Sequence, residues 1–207
     1  MNGSAERPAP ADRLVAHLRG NPVLWECLER LEELRLPECY LGAGCVAQTV
    51  WNAAHGKPPA AHITDYDVVY FDAGDLTEEG ENQAALSVHE AMAGLPLTVD
   101  VKNQARVHLW YRPRFGYDIV PYTSTEDAIA SWPTTATAIG VRLERGRPHV
   151  FAPFGLDDLL GLVVRANRVQ ITPEIYRRKV ARWRRDWRHL TVLPWAAGRG
   201  DVGKRRI

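Results

Sequence analysis

Three aspartates carry the most pointed chemistry in this 207-residue chain. Asp65 and Asp67 stand two apart in ITDYDVVYF (63–71), a run of aromatic and β-branched residues that predicts a strand. A period of two puts both side chains on one face, a few ångströms apart. Two bare carboxylates that close repel, and one pKa rises. A divalent cation between them removes the repulsion. Hard oxygen ligands suit Mg²⁺, which binds through one or two carboxylates together with substrate phosphates. Asp100, in LTVDVK (97–102), lies on the next predicted strand, with Val99 and Val101 pointing the other way. It is the natural third acid of a two-metal clamp. The bland alternative makes Asp65 a cap at the strand start. Asp72 and Asp75, just past the strand, read as turn residues.

The second piece is Gly42-Ala43-Gly44, between a short apolar strand (about 39–41) and a helix carrying Val46, Thr49, Val50 and Ala53 on one side. Backbone N–H groups at a helix N-terminus bind phosphate, and glycines let it approach. Gly42, Gly44 and Ala47 also satisfy the G-x-G-x-x-G/A dinucleotide fingerprint, and Asp65 follows Gly42 by 23 residues. A nicotinamide oxidoreductase is therefore a competing reading. Against it, Asp65 and Asp67 sit at the beginning of their strand rather than its end, and the downstream chain holds few βα units. A Walker A loop is excluded, because Gly56-Lys57 is followed by Pro58.

Cationic helpers follow. Lys102 shares Asp100's strand face and reads either as a phosphate contact or as a salt-bridge partner. Arg142 follows the hydroxyl-rich stretch Thr134, Thr135, Thr137, and reads as a nucleotide contact or a surface strand arginine. Asp157 and Asp158 fit the first turn of a helix, where the dipole favours acids. Gln48 and Asn52, one turn apart, either face an acceptor or bond within the fold. In Arg177–His189, Trp183 and Trp187 lie one turn apart among arginines. Such interleaving can bind nucleic acid, but Val180, Trp183 and Trp187 also make a core stripe with snorkelling arginines outside.

The elements that position these residues are legible from caps and breakers. Asn21-Pro22 divides the apolar pattern of 12–36 into two helices, the second ended by Pro37. His55–Ile63, with Gly56, Pro58 and Pro59, is a loop. Residues 75–93 read as a helix and 97–102 as a strand. Residues 105–111 read as a strand extension or a short helix, and 118–121 as loop or edge strand. Ser124–Ile129 begins a capped helix. Val141–Leu143 and His149–Phe151 flank a hairpin turn, and Leu156–Asn167 and Pro173–Leu190 read as helices. The expected organisation is an N-terminal frayed segment (1–11), a core (12–125), a C-terminal hairpin and helices packed on it (126–195) and a flexible basic tail (196–207).

Composition bounds the rest. Apolar residues make up 45% and charged residues 25%, which excludes wholesale disorder. The length suits one domain with at most a small appendage. No apolar stretch approaches the ~20 residues of a membrane span, and no secretory h-region is visible, so a cytoplasmic protein is expected. Cys27, Cys39 and Cys45 show no CxxC spacing and read as reduced thiols. The seven His show no zinc spacing. The net charge of +1 hides an asymmetry. Residues 165–207 carry 13 Lys/Arg against 3 Asp/Glu, and residues 1–164 carry 13 against 22. An acidic body fits a cation holder and a basic end fits an anionic partner.

Glycine turn, helix, D-x-D strand and third Asp, in that order, resemble the DNA polymerase beta-like nucleotidyltransferase superfamily. The likeness is closest to a bacterial nucleotidyltransferase-like branch of it. The carrying segments are LGAGCVAQTVWN (41–52), ITDYDVVYFD (63–72), VDVKNQARVHLWY (99–111), PTTATAIGVRLE (133–144), FAPFGLDDLLGLVVRAN (151–167) and ITPEIYRRKVARWRRDWRHL (171–190). The resemblance implies an α+β fold, a mixed β-sheet with flanking helices and a basic helical C-terminal portion. It implies transfer of a nucleoside monophosphate from an NTP to a hydroxyl acceptor, with two Mg²⁺ ions. Asp65, Asp67 and Asp100 match the metal-binding and catalytic acids. Gly42, Ala43 and Gly44, with Lys102 and Arg142, are the candidate nucleotide contacts. Two departures stand out: a longer gap from Gly44 to Asp65, 21 residues, and Gly-Ala-Gly in place of Gly-Ser or Gly-Gly. The competing class is a nucleotide- or nucleic-acid-binding protein without turnover, such as one half of a toxin–antitoxin pair, with RNA or another anion at the basic helix.

Overall fold

The computed structural model describes residues 8–195. The expected basic tail (196–207) and most of the expected frayed N-terminal segment lie outside the described residues. The chain runs α1 (Pro10–Arg19), α2 (Pro22–Leu34), β1 (Tyr40–Gly42), α3 (Gly44–Ala54), β2 (Tyr66–Tyr70), α4 (Glu78–Ala91), β3 (Val99–Asn103), α5 (Val107–Phe115), α6 (Thr125–Ala130), β4 (Gly140–Glu144), β5 (Arg147–Phe151), α7 (Asp157–Leu160), β6 (Val163–Val164), α8 (Pro173–Asp186) and β7 (Thr191–Val192). It is an α+β fold built on a five-stranded mixed sheet of order β3-β2-β1-β4-β5.

Helix starts obey local chemistry. The Asn21 side chain accepts the Leu24 N–H at 3.3 Å, and Pro22 opens α2, where a missing N–H costs nothing. Thr77, Ser124 and Thr172 cap α4, α6 and α8 in the same way.

The sheet has two unlike faces. Leu41, Tyr66, Val68, Val99, Val101 and Val141 point into the main core, where Leu24, Leu28 and Leu31 of α2, Val88 of α4 and most of α3 meet them. The other face carries Tyr40 and Val69, covered by Ile129 of α6 with Trp132 and Phe151. Strand alternation puts Asp67, Asp100 and Lys102 on this second face.

Several expectations are corrected. β2 begins at Tyr66, so Asp65 precedes the strand instead of opening it. The helix expected over 156–167 stops at Leu160. Leu162 takes a left-handed backbone (φ 58°), and Val163–Val164 then pair in parallel with Thr191–Val192. Two β-branched residues find a strand partner that only the folded chain supplies. The helix expected to reach Leu190 ends at Asp186, because Trp187 turns inward and is fully buried. Of the two readings of residues 105–111 the helical one holds, as a 3₁₀ turn and the start of α5. The nicotinamide reading fails on topology. β1 and β2 flank a helix but run antiparallel, whereas the dinucleotide βαβ unit requires parallel strands.

Candidate active site

Asp67 lies half-buried at the junction of three elements. On one side it stands opposite Gly42 of β1 in antiparallel register. On the other it stands opposite Asp100 of β3 in parallel register. The N–H of Gly44, first residue of α3, donates to its carboxylate. A helix N-terminus thus points at an acid, as the dipole favours. Even so, the Asp67 carboxyl is pushed up to about 7. Burial is the largest cause, followed by the negative charges of Asp65 and Asp100, while Lys179 pulls the other way.

The neighbouring acids are more open. Asp65 is exposed and accepts the Thr64 hydroxyl at 2.7 Å. Asp100, half exposed, pairs with Lys102 at 3.1 Å. Among the described residues no three His, Cys, Asp or Glu side chains converge into a closed cation cage. The donor set still fits Mg²⁺. All three groups are hard oxygen ligands, and this ion takes one or two carboxylates and completes its shell with water and phosphate. The repulsion that raises Asp67 is what a divalent cation would relieve.

The glycine turn is shaped by close packing. A Cβ on Gly42 would sit 2.6 Å from the Ile139 carbonyl oxygen and 2.9 Å from the Trp132 ring. Ala43 takes φ 56°, and its N–H donates to the Ile139 carbonyl at 3.0 Å. That N–H is therefore committed to the fold.

Lys179, which sequence reasoning did not single out, comes from α8. Burial lowers its pKa, and the charges of Asp67 and Asp65 raise it. A signal was present. Tyr176, Val180, Trp183 and Trp187 are the buried stripe of α8, and Lys179 borders it at i+3 and i−4, where a lysine is drawn inward. The stripe packs as a core edge: Trp51 of α3 meets Trp183 and Trp187 edge-on, with ring centroids 5.3 and 5.4 Å away. Arg178, Arg182, Arg184, Arg185 and Arg188 stay exposed on its outside.

Other candidates are drawn elsewhere. Arg142 stacks over Tyr40 at 4.6 Å and pairs with Glu144 at 2.6 Å, two strands away from Asp67. Thr134 and Thr137 are buried and bond to each other at 2.8 Å, while the Thr135 hydroxyl donates to Asp158. These hydroxyls hold the chain together and are not open to a sugar. Asn52 donates to the carbonyls of Pro59 and Ala61 and accepts the Trp187 indole N–H at 2.8 Å, which ties the 55–62 loop to α3 and α8. Gln48 is 4% exposed, and its Oε1 has no hydrogen-bond partner among the described residues. Asp72 and Asp75 are turn residues, as expected.

A mixed sheet that sets aspartates of adjacent strands beside a glycine turn and a helix N-terminus defines a nucleotidyl-transferring class of enzyme. Residues 29–192 match the nucleotidyltransferase family, and the chain belongs to it. It is also similar to a solved NMR structure described as a CCA-adding enzyme head domain, with 25% identity and a TM-score of 0.71 over 88% of this chain and 95% of that one. No curated protein matches the sequence. Among the described residues no helix is long and apolar enough to cross a membrane.

Proposed function

We propose that this nucleotidyltransferase moves a nucleoside monophosphate from an NTP to a hydroxyl acceptor and releases pyrophosphate, with Mg²⁺ as cofactor. The observation that supports this most is the in-register pair Asp67–Asp100, joined by Asp65 and set against the N-terminus of α3. Asp65, Asp67 and Asp100 would hold the metal, which when bound supplies charge neutralisation at the triphosphate and a more acidic acceptor hydroxyl.

The chain's own groups account for the rest. Gly44 adds no side chain at the first turn of α3, so phosphate oxygens can meet backbone N–H groups and the helix dipole, while Gly42 makes room for the Ile139 carbonyl and Trp132. Lys102 and Lys179 bring ammonium groups to the charge that develops on pyrophosphate. As the acceptor oxygen bonds to the α-phosphorus, the bond to the bridging oxygen of the β-phosphate breaks, and Asp100 takes the acceptor's proton. Arg142, engaged by Glu144 and Tyr40, has no part in these steps. The outward arginines of α8 suit an RNA or another anionic partner. Three free thiols, two of them buried, favour a reducing, cytoplasmic setting.

The test is calorimetric titration of ATP, GTP, CTP and UTP, each with Mg²⁺, into wild type and Asp67→Asn. Mg²⁺-dependent binding of at least one NTP, lost in the variant, is expected. Binding that ignores both Mg²⁺ and the substitution would overturn the proposal.

A further inference from the structure

A cavity of about 620 Å³, lined by none of Asp65, Asp67 and Asp100, lies between the segment 117–122, the end of α6, the loop after β5 and the start of α8. Its volume suits a small molecule, since ligand pockets run from roughly 300 to 1,000 Å³. Its walls are aromatic: Tyr117, Tyr122, Phe154 and Trp195. The two tyrosines are also held in place. The Tyr122 hydroxyl donates to Gln170 Oε1 at 2.8 Å and lies 2.7 Å from the Ser131 hydroxyl, and the Tyr117 hydroxyl donates to the Gln170 carbonyl. These bonds set the rings before any ligand arrives, which lowers the entropic cost of binding.

The charges at the cavity are unequal in their commitments. Asp118 pairs with Arg112 at 3.1 Å, and Asp127 accepts the Thr123 N–H at 3.1 Å. Arg168 is exposed, has no carboxylate partner among the described residues, and holds its guanidinium 5.2 Å above the Trp195 ring. A cation already stacked on an indole still presents its N–H edge to an anion.

We propose that this cavity is a second ligand site, separate from the carboxylates, for a small planar-ring molecule bearing one acidic group that pairs with Arg168. It does not depend on the nucleotidyl-transfer reading. Residues 130–131 of its wall lead into Trp132, which packs on Gly42, and its Thr172–Pro173 edge begins the helix that carries Lys179. An occupant therefore touches the two segments that border the carboxylate site.

The test uses 8-anilinonaphthalene-1-sulfonate, an aromatic anion, and the uncharged N-phenyl-1-naphthylamine as probes on the full chain. Protein labelled with 5-fluorotryptophan locates them, the Trp195 resonance being assigned with Trp195→Phe. We expect saturable one-to-one binding of the sulfonate that shifts the Trp195 signal. Arg168→Glu should weaken it about tenfold, the size of one lost charge contact, and leave the uncharged probe unchanged. Phe154→Ala, an exposed position that the fold does not need, should weaken both probes. An unshifted Trp195 signal overturns the site, and equal sulfonate affinity in Arg168→Glu overturns the acidic-ligand assignment. Neither result bears on Mg²⁺–NTP binding, which is read separately.

Discussion

Asp67 and Asp100 stand opposite each other in the parallel pair β2–β3, on the sheet face that the main core does not fill. They are 33 positions apart in the chain, and one register brings them together beside Asp65 and the first turn of α3. The consequences can be measured.

The first concerns pH. Burial, Asp65 and Asp100 raise the Asp67 carboxyl from its ordinary 3.8 to about 7. The folded state thus holds this proton more tightly than the unfolded chain. Its contribution to stability is complete below the ordinary value and is lost as pH rises through about 7. The metal-free thermal midpoint should therefore fall from about pH 5 to about pH 8, and fall less in Asp67→Asn. Mg²⁺ should raise the midpoint more at the higher pH, because ligands must be deprotonated. A midpoint with the same pH slope in both proteins would refute the burial argument.

A second prediction separates the acids. Asp67→Asn and Asp100→Asn should lower nucleotidyl transfer by on the order of 10³-fold, the scale of a lost electrostatic element in a catalytic site. Asp72→Asn should keep near-normal activity, since the Asp72 carboxylate is engaged by the Gly74 N–H of its own turn at 2.8 Å. Radiolabel transfer from an α-³²P NTP reads all three, with circular dichroism as the check on folding.

Lys179 should be visible in the titration of Asp67. Its charge lowers that pKa, so Lys179→Met should move the Asp67 midpoint upward while keeping an apolar stem near Trp183. Carbon-13 NMR of labelled aspartate carboxyls, with Asp67 assigned through Asp67→Asn, measures the shift. An unchanged midpoint would show that α8 does not reach the site in solution.

Gly42→Ala should destabilise the fold by about 2 kcal/mol or more, because the new methyl meets a backbone oxygen and an aromatic ring. Urea unfolding followed by tryptophan fluorescence measures this.

Asn52 binds three partners from two segments: two loop carbonyls and the Trp187 indole, 135 positions away. Asn52→Ala removes the partner of the Ala61 carbonyl and of the buried Trp187 indole N–H, while Pro59 keeps the Asn21 amide at 3.3 Å, and should cost about 2 kcal/mol in the same urea assay. A loss below about 1 kcal/mol would mean that water replaces the amide.

Much of the architecture was legible because its causes are local. Asn21-Pro22, Ser124 and Thr172 announce helix starts through hydrogen bonds spanning three residues. The stripe of Val180, Trp183 and Trp187 announces a buried helix face. Asp72 and Asp75 close turns with N–H groups two residues on. The order of glycine turn, D-x-D and third Asp carried the family, since that order is a property of the chain.

The rest depends on partners that are distant in sequence. Nothing near Val163 shows that Thr191 will pair with its segment. The hydroxyls of Thr134, Thr135 and Thr137 look open until the fold buries two and gives the third to Asp158. Arg142 reads as a nucleotide contact or a surface strand arginine until Tyr40 and Glu144 are seen to hold it. The sequence by itself determined which acids are present and in what order, and that Asp67 and Asp100 lie on strands. Only the tertiary structure decided that β1 and β2 run antiparallel while β2 and β3 run parallel, that Asp67 stands opposite Asp100, and that the charges of Asp65 and Asp67 act on Lys179. The reason is physical. Propensity and capping act over three or four residues, whereas register and charge pairing are set by the packing of whole elements.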